Sequence, residues 1–125
     1  MNPGDIYWVE FAGGGGHEQA GRRPAIVLQD DTYAGDLPLV IVVPLTGATA
    51  ATRFAGTLAI EPDENNHLRK TSVALVFQIR AVDRRAIAEQ IGAITAEQLA
   101  ELNTLLDKLT GRILPNNERT ETTEP

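Results

Sequence analysis

Short apolar stretches separated by polar or glycine-containing segments run through most of the chain. Residues 5–11 alternate apolar and polar positions and are rich in aromatic and β-branched side chains, which is typical of a β-strand. Residues 25–28 are continuously apolar, so a second strand at 25–29 is expected to be buried on both faces. The same patterns predict strands at 39–44, where a proline stops the strand, and at 57–60, 71–77 and 86–91.

One segment has a helical pattern. The leucines at positions 99, 102, 105, 106 and 109 recur every three or four residues and form one apolar stripe. Thr95 and Gln98 have the spacing of a capping box, and Gly111 stands where a helix C-terminus is expected. Many short strands and one late helix predict a mainly β fold, a small antiparallel β-barrel with a C-terminal helix.

Length and composition predict one domain over residues 1–114, followed by a polar, disordered tail at 115–125. The chain has no cysteine, which excludes disulfides, thiolate metal sites and cysteine nucleophiles. No signal-peptide pattern and no apolar run of about 20 residues is visible, so a cytoplasmic protein without membrane contact is expected.

The formal net charge of −6 argues against a protein whose overall field attracts nucleic acid. The balance differs locally, because residues 22–85 carry eight basic and seven acidic side chains. A local cationic groove is therefore allowed, whereas a broad nucleic-acid-binding face is not.

The segment from His17 to Pro24 carries the most chemical information. It follows four glycines, residues 13–16, and leads directly into the apolar strand predicted at 25–29. It therefore brings a carboxylate (Glu18), an imidazole (His17) and two guanidinium groups to the start of a buried strand. Pro24 suits the first position of that strand because it lacks an N–H. Carboxylate, imidazole and arginine together are the components of acid–base chemistry on a phosphodiester.

Five motifs in this order resemble the MazF/PemK (Kid) toxins. They are Gly-Asp-Ile-Tyr-Trp-Val at 4–9, Glu-Gln-Ala-Gly at 18–21, Arg-Pro at 23–24, Val-Pro-Leu-Thr at 43–46, and Ser-Val at 72–73 leading to Gln-Ile-Arg-Ala-Val-Asp at 78–83. The resemblance covers about residues 4–112. Each motif alone is weak, and their common order gives the resemblance its weight.

The resemblance implies a small SH3-like barrel, a homodimer that cleaves single-stranded RNA at short sequences without a metal or other cofactor. It also implies the toxin of a type II toxin–antitoxin pair, inhibited by a small antitoxin whose flexible segment occupies the RNA groove. The catalytic residues of the family correspond to Glu18, Arg23 and Thr46 here.

The chemistry of those three side chains agrees with the resemblance. A carboxylate with an ordinary pKa of about 4.3 is ionised at neutral pH, so Glu18 can act as the base for the 2′-OH. The Arg23 guanidinium suits phosphate oxygens, and the Thr46 hydroxyl can donate a hydrogen bond to one of them. The proton donor for the departing 5′ oxygen stays open between His17 and water, because arginine is a poor acid.

Seven further residues are expected to contact RNA: His17, Gln19, Arg22, Ser72, Phe77, Gln78 and Arg80. Phe77 departs from the family pattern, because some relatives have an acidic residue, assigned there as the base, at this position. An aromatic ring there can instead stack on a nucleobase. His67 lies in a polar segment beside two asparagines and is interpreted as a surface residue.

Two other functions stay open. CcdB-like toxins share the fold and bind DNA gyrase without cleaving a phosphodiester. A catalytically degenerate relative that only binds an antitoxin would fit Phe77 and the acidic balance.

Overall fold

A computed structural model of the chain describes residues 1–13 and 20–113. The expected site residues His17, Glu18 and Gln19 lie outside the described residues, as does the expected tail at 115–125.

Seven strands and two α-helices form the described part of the chain. The strands are β1 (Asp5–Phe11), β2 (Gly21–Val27), β3 (Leu39–Thr46), β4 (Thr57–Ile60), β5 (Ser72–Leu75), β6 (Arg80–Asp83) and β7 (Ile87–Ala93), and the helices are α1 (Asp31–Ala34) and α2 (Ala96–Leu109). Short 3-10 helices lie at Thr49–Arg53, Val76–Gln78 and Arg84–Ala86. The prediction of a mainly β fold with a C-terminal helix is confirmed.

All strand pairs are antiparallel and belong to one sheet with the order β4-β5-β3-β2-β1-β7, while β6 pairs with β3. Strand β3 is central, because it pairs with β2, β5 and β6 along different parts of its length. The pairings among the described residues do not close the sheet, so the barrel expected from the sequence is not established.

Two prolines lie inside strands, which corrects two predictions. Strand β2 begins at Gly21, so Pro24 is not its first residue but lies opposite Trp8 of β1. Strand β3 continues past Pro44 to Thr46. Both prolines lie where a strand lacks one neighbour: β3 pairs with β2 only from Ala25 onward, and Pro44 lies between the part of β3 that pairs with β6 and the part that pairs with β5. A missing N–H therefore interrupts no ladder on the unpaired side.

Other boundaries also differ from the predictions. Strand β5 ends at Leu75, and the predicted continuation to residue 77 is a 3-10 helix that turns Phe77 outward. Strand β6 was not predicted, because four residues between turns show too little alternation. The predicted turn at residues 30–31 begins the single helical turn α1, capped by the Asp30 side chain. The predicted strand at 86–91 runs from Ile87 to Ala93.

Helix α2 matches its sequence pattern except at the end of the apolar stripe, where Leu109 is 41% exposed. Thr95 and Gln98 form both hydrogen bonds of the capping box, and Gly111 has a φ of +82° just beyond the helix. Leu102 is fully buried, and it packs with apolar residues of the sheet, while Leu99, Leu105 and Leu106 pack against the same cluster. The helix therefore packs against the sheet through this cluster. No helix in the described part of the chain is long and apolar enough to span a bilayer.

Candidate nucleic-acid interface

A groove of about 540 Å³ lies where β2 and β3 meet the segment that precedes β5. It contains four of the site residues expected from the sequence: Arg22, Arg23, Thr46 and Ser72. Its full lining is Trp8, Arg22, Arg23, Pro24, Leu45, Thr46, Gly47, His67, Leu68, Arg69, Lys70, Ser72 and Ile91.

The charged side chains that line this groove are cationic: Arg22, Arg23, Arg69 and Lys70. No acidic side chain is among the described residues that line it. We call it the cationic groove. A concentration of guanidinium and ammonium groups in a concave surface attracts phosphate even when the whole protein is acidic.

A hydrogen bond to the backbone just before β2 orients the Arg23 side chain. Its Nε donates a hydrogen bond to the Ala20 carbonyl oxygen at 3.1 Å. Its two terminal nitrogens have no hydrogen-bond partner within the described residues. The planar fork is therefore oriented by one bond and keeps the donors that match two oxygens of a phosphate.

Contacts with Trp8 on β1 and Glu89 on β7 position the Arg22 side chain. Its guanidinium carbon lies 4.9 Å from the centre of the Trp8 ring, and its Nη2 lies 3.1 Å from a Glu89 carboxylate oxygen on β7. A hydrogen bond from its own backbone N–H, and then Arg22, lower the pKa of Glu89. Because the Glu89 carboxylate partly neutralises the Arg22 guanidinium, Arg22 is less available than Arg23 to bind a phosphate.

Thr46 ends β3 at the floor of the groove. Its Oγ1 accepts a hydrogen bond from the Ala48 N–H at 3.2 Å, so the hydroxyl hydrogen is left to donate. The end of the Lys70 side chain lies over the next residue, because a Cβ placed on Gly47 would be 2.7 Å from Nζ. Ser72 is nearly buried, and its hydroxyl donates to the Lys70 carbonyl oxygen at 3.2 Å. Ser72 thus supports the segment that carries Lys70.

A second, more apolar pocket of about 380 Å³ adjoins the cationic groove at Thr46. Phe77 and Gln78 line it, so two further predicted RNA contacts come together here. The Phe77 ring lies 5.7 Å from the Phe54 ring, at an interplanar angle of 56°, and both rings are about half exposed. We call it the aromatic pocket.

Arg80 lies elsewhere. Its guanidinium carbon is 4.3 Å from the centre of the Phe11 ring, in a pocket shared with Glu10 and Asp83. It lines neither the cationic groove nor the aromatic pocket, so the structure does not bring this predicted RNA contact to the others.

Four aromatic, imidazole or cationic side chains in the groove were not predicted as site residues: Trp8, His67, Arg69 and Lys70. Trp8 was placed in a strand and in the first family motif but given no role, and the other three lie in the polar segment before β5. His67 is exposed, as expected, but it lines the groove rather than a featureless surface. A signal was present in the sequence, because Arg69 and Lys70 immediately precede the predicted β5 strand. Within the described residues, no three His, Asp or Glu side chains are grouped in a way that could hold a metal ion.

Comparison with known proteins gives one consistent family. Residues 2–110 match the family described as PemK-like, MazF-like toxins of type II toxin–antitoxin systems. The endoribonuclease MazF of Staphylococcus saprophyticus is 32% identical over 107 residues, which cover 86% of this chain and 88% of that protein.

Solved structures of MazF proteins are also similar to this chain. The crystal structure of MazF from Deinococcus radiodurans is similar with a TM-score of 0.74 and 34% identity, covering 89% of this chain and 96% of that one. A MazE–MazF structure from the same organism is similar with a TM-score of 0.69 and 31% identity, covering 90% and 97% of the respective chains.

Proposed function

Since this chain belongs to the PemK-like, MazF-like toxins of type II toxin–antitoxin systems, we propose that it cleaves single-stranded RNA in the cationic groove. It is the toxin of such a system and an endoribonuclease, with an antitoxin as its protein partner. The observation that carries the proposed site is the position of Arg23 and Thr46 in one groove lined by cations.

The reaction needs a base, a support for the phosphorane and a proton donor. Glu18, in the segment that leads to β2, removes the proton of the 2′-OH. The 2′ oxygen then attacks phosphorus, while Arg23 and the Thr46 hydroxyl donate hydrogen bonds to the phosphate oxygens that gain charge. The bond from phosphorus to the 5′ oxygen breaks and that oxygen takes up a proton, so the products are a 2′,3′-cyclic phosphate and a 5′-hydroxyl, and the reaction needs no metal ion or other cofactor.

The path of the RNA follows from the two adjoining concave surfaces. The backbone lies in the cationic groove, and a nucleobase beside the cleaved bond enters the aromatic pocket. There it stacks on Phe77 or Phe54, while Gln78 supplies a hydrogen bond to its edge. His17, Gln19 and Arg22 complete the contacts from the segment before and at the start of β2.

The assembly follows the family. We propose a homodimer of SH3-like barrels, because the resemblance to the MazF/PemK toxins implies one. Light scattering at twice the mass of one chain checks the dimer. An RNA substrate supports the proposal that it acts in the cytoplasm.

The alternatives are not favoured. A gyrase-binding toxin or a degenerate antitoxin binder needs no cationic groove that contains both Arg23 and Thr46. A relative 32% identical is moreover named as an endoribonuclease.

Cleavage of a long single-stranded RNA in EDTA tests the proposal. We expect discrete fragments from the wild type and a loss of about 10²–10³-fold in rate for Arg23→Ala, since a donor to the developing charge is removed. Thermal unfolding should barely change, because Arg23 makes one hydrogen bond within the described residues.

Arg85→Ala is the matched control. Arg85 is a 90% exposed arginine paired with Asp83, and it does not line the groove. It should retain the wild-type rate. Full cleavage by Arg23→Ala would overturn the assignment of the site.

A further inference from the structure

His67 has an unusual backbone conformation. Its φ of 54° makes it the only residue other than glycine with a positive φ in the described part of the chain. This left-handed region costs free energy for a residue with a Cβ, and such residues persist where the surrounding structure fixes them. An imidazole held this way in a groove calls for a functional explanation.

The segment before His67 is fixed by a buried asparagine. Asn66 is fully buried, and its Oδ1 accepts from the backbone N–H groups of Asp63 and Leu68 at 3.0 and 2.9 Å. Its Nδ2 donates to the Glu61 carbonyl oxygen at 2.9 Å. One side chain thus satisfies three backbone groups on both sides of His67.

The same segment is fixed against β7. The Ala93 N–H donates to the Asn65 carbonyl oxygen at 3.1 Å, and a Cβ on Gly92 would lie 2.4 Å from that oxygen. The approach is so close that only a glycine fits at position 92. The backbone that carries His67 therefore has little freedom to move.

The imidazole itself has a defined orientation. Its Nδ1 lies 2.7 Å from the Ile91 carbonyl oxygen. A carbonyl oxygen only accepts, so Nδ1 carries a hydrogen, and Nε2 is the nitrogen that gains or loses a proton. Nε2 has no hydrogen-bond partner within the described residues, and His67 lines the groove together with Arg23 and Thr46.

We propose that His67 is a catalytic residue that donates the proton from Nε2 to the departing 5′ oxygen. This rests on the proposed function. The 2′ oxygen forms its bond to phosphorus, the bond from phosphorus to the 5′ oxygen breaks, and its electron pair takes the Nε2 proton. The neutral imidazole that remains keeps its Nδ1–H on Ile91, so the ring does not need to turn.

The surroundings suit this role. The charged side chains that line the groove around His67 are Arg22, Arg23, Arg69 and Lys70, all cationic, and Glu89 pairs with Arg22 from β7. The phosphates of bound RNA bring the opposite charge that an imidazolium needs as a neighbour. Guanidinium groups, which stay protonated, orient the phosphate but transfer no proton to it.

His67→Asn is the informative variant. Asparagine tolerates the left-handed conformation, and its amide nitrogen can replace Nδ1 as the donor to Ile91. The variant loses Nε2 and its proton, together with the rest of the ring. We expect the cleavage rate to fall about 10²–10⁴-fold, with the melting temperature close to that of the wild type.

An RNA with sulfur in place of the departing 5′ oxygen separates proton donation from positioning, because a thiolate leaves without a proton. On this substrate His67→Asn should cleave within a few-fold of the wild type. An equal loss on both substrates, or no loss on either, would overturn the role of His67 while leaving the endoribonuclease intact. If the wild type cleaves neither RNA, the proposed function fails and this inference fails with it.

Discussion

At the scale of single residues, Asn66 is the side chain on which one wall of the cationic groove depends. Its three hydrogen bonds hold the segment that carries His67, Leu68, Arg69 and Lys70. These hydrogen bonds are partly buried, so backbone groups that lost the Asn66 side chain would be left without a partner or would need water in its place.

Asn66→Ala should therefore lower the free energy of unfolding by about 2–4 kcal/mol, because three backbone groups lose their partner. Urea unfolding measures it. Asn65→Ala is the control, since the neighbouring asparagine is exposed and contributes only backbone groups to these contacts. A loss for Asn66→Ala no greater than that for Asn65→Ala would show that the buried side chain does not hold the segment.

At this scale, the sequence predicted the functional residues that belong to recognisable motifs. Arg23 and Thr46 were predicted together from separate motifs, and the structure brings them to one groove. His67 was not predicted, because its importance depends on a positive φ and on a contact with Ile91, which is 24 residues away. Neither is encoded in a local pattern of residue types.

At the scale of elements, the sequence rules predicted most of the strands, but they predicted poorly where the strands begin and end. A proline was expected to end β3, but β3 continues because its neighbour changes there from β6 to β5. Strand pairing is a property of the whole sheet, so a rule for one strand cannot detect the change. Helix α2 was predicted closely, since its apolar stripe, capping box and terminal glycine are all local signals.

The turn between β6 and β7 gives a prediction about acid stability. Hydrogen bonds from the side chain and then the backbone N–H of Arg85 lower the pKa of Asp83 from 3.8 to about 2. The carboxylate is therefore favoured in the folded state, and its contribution is present above about pH 4 and is lost as the pH falls toward 2.

Asp83→Asn should keep the backbone cap and remove this titration, so its free energy of unfolding should fall less steeply between pH 4 and 2 than that of the wild type. Urea unfolding at several pH values measures the slope. Part of the slope should survive, because Arg84 also lowers the pKa of Asp31. Asp36→Asn, at an exposed aspartate without an ion pair in the described residues, is the control and should keep the wild-type slope. Identical slopes for Asp83→Asn and the wild type would contradict the assignment.

At the scale of the whole molecule, a net charge of −6 coexists with a groove lined by four cations. The total charge was therefore a poor guide to the partner, whereas the balance over residues 22–85 was a better one. Folding brings residues 22–23 and 69–70 to one groove, although 45 residues separate them in sequence. The acidic excess lies entirely outside residues 22–85, which themselves carry one net positive charge.

Salt dependence tests whether those four cations bind the RNA backbone. For single strands the logarithm of the affinity falls by about 0.7 per neutralised phosphate for each tenfold rise in salt, so four contacts predict a slope of about −2.8. Because Glu89 partly neutralises Arg22, we expect between about −2 and −2.8 for each groove. Fluorescence anisotropy with an RNA that carries 2′-O-methyl groups, and so cannot be cleaved, measures the slope.

Lys70→Ala should make this slope shallower by about 0.7, whereas Lys108→Ala on α2 should leave it unchanged, because Lys108 does not line the groove. Equal effects of the two variants would mean that RNA binding responds to the total charge of the protein. That result would contradict the proposal that the phosphate backbone binds in the cationic groove.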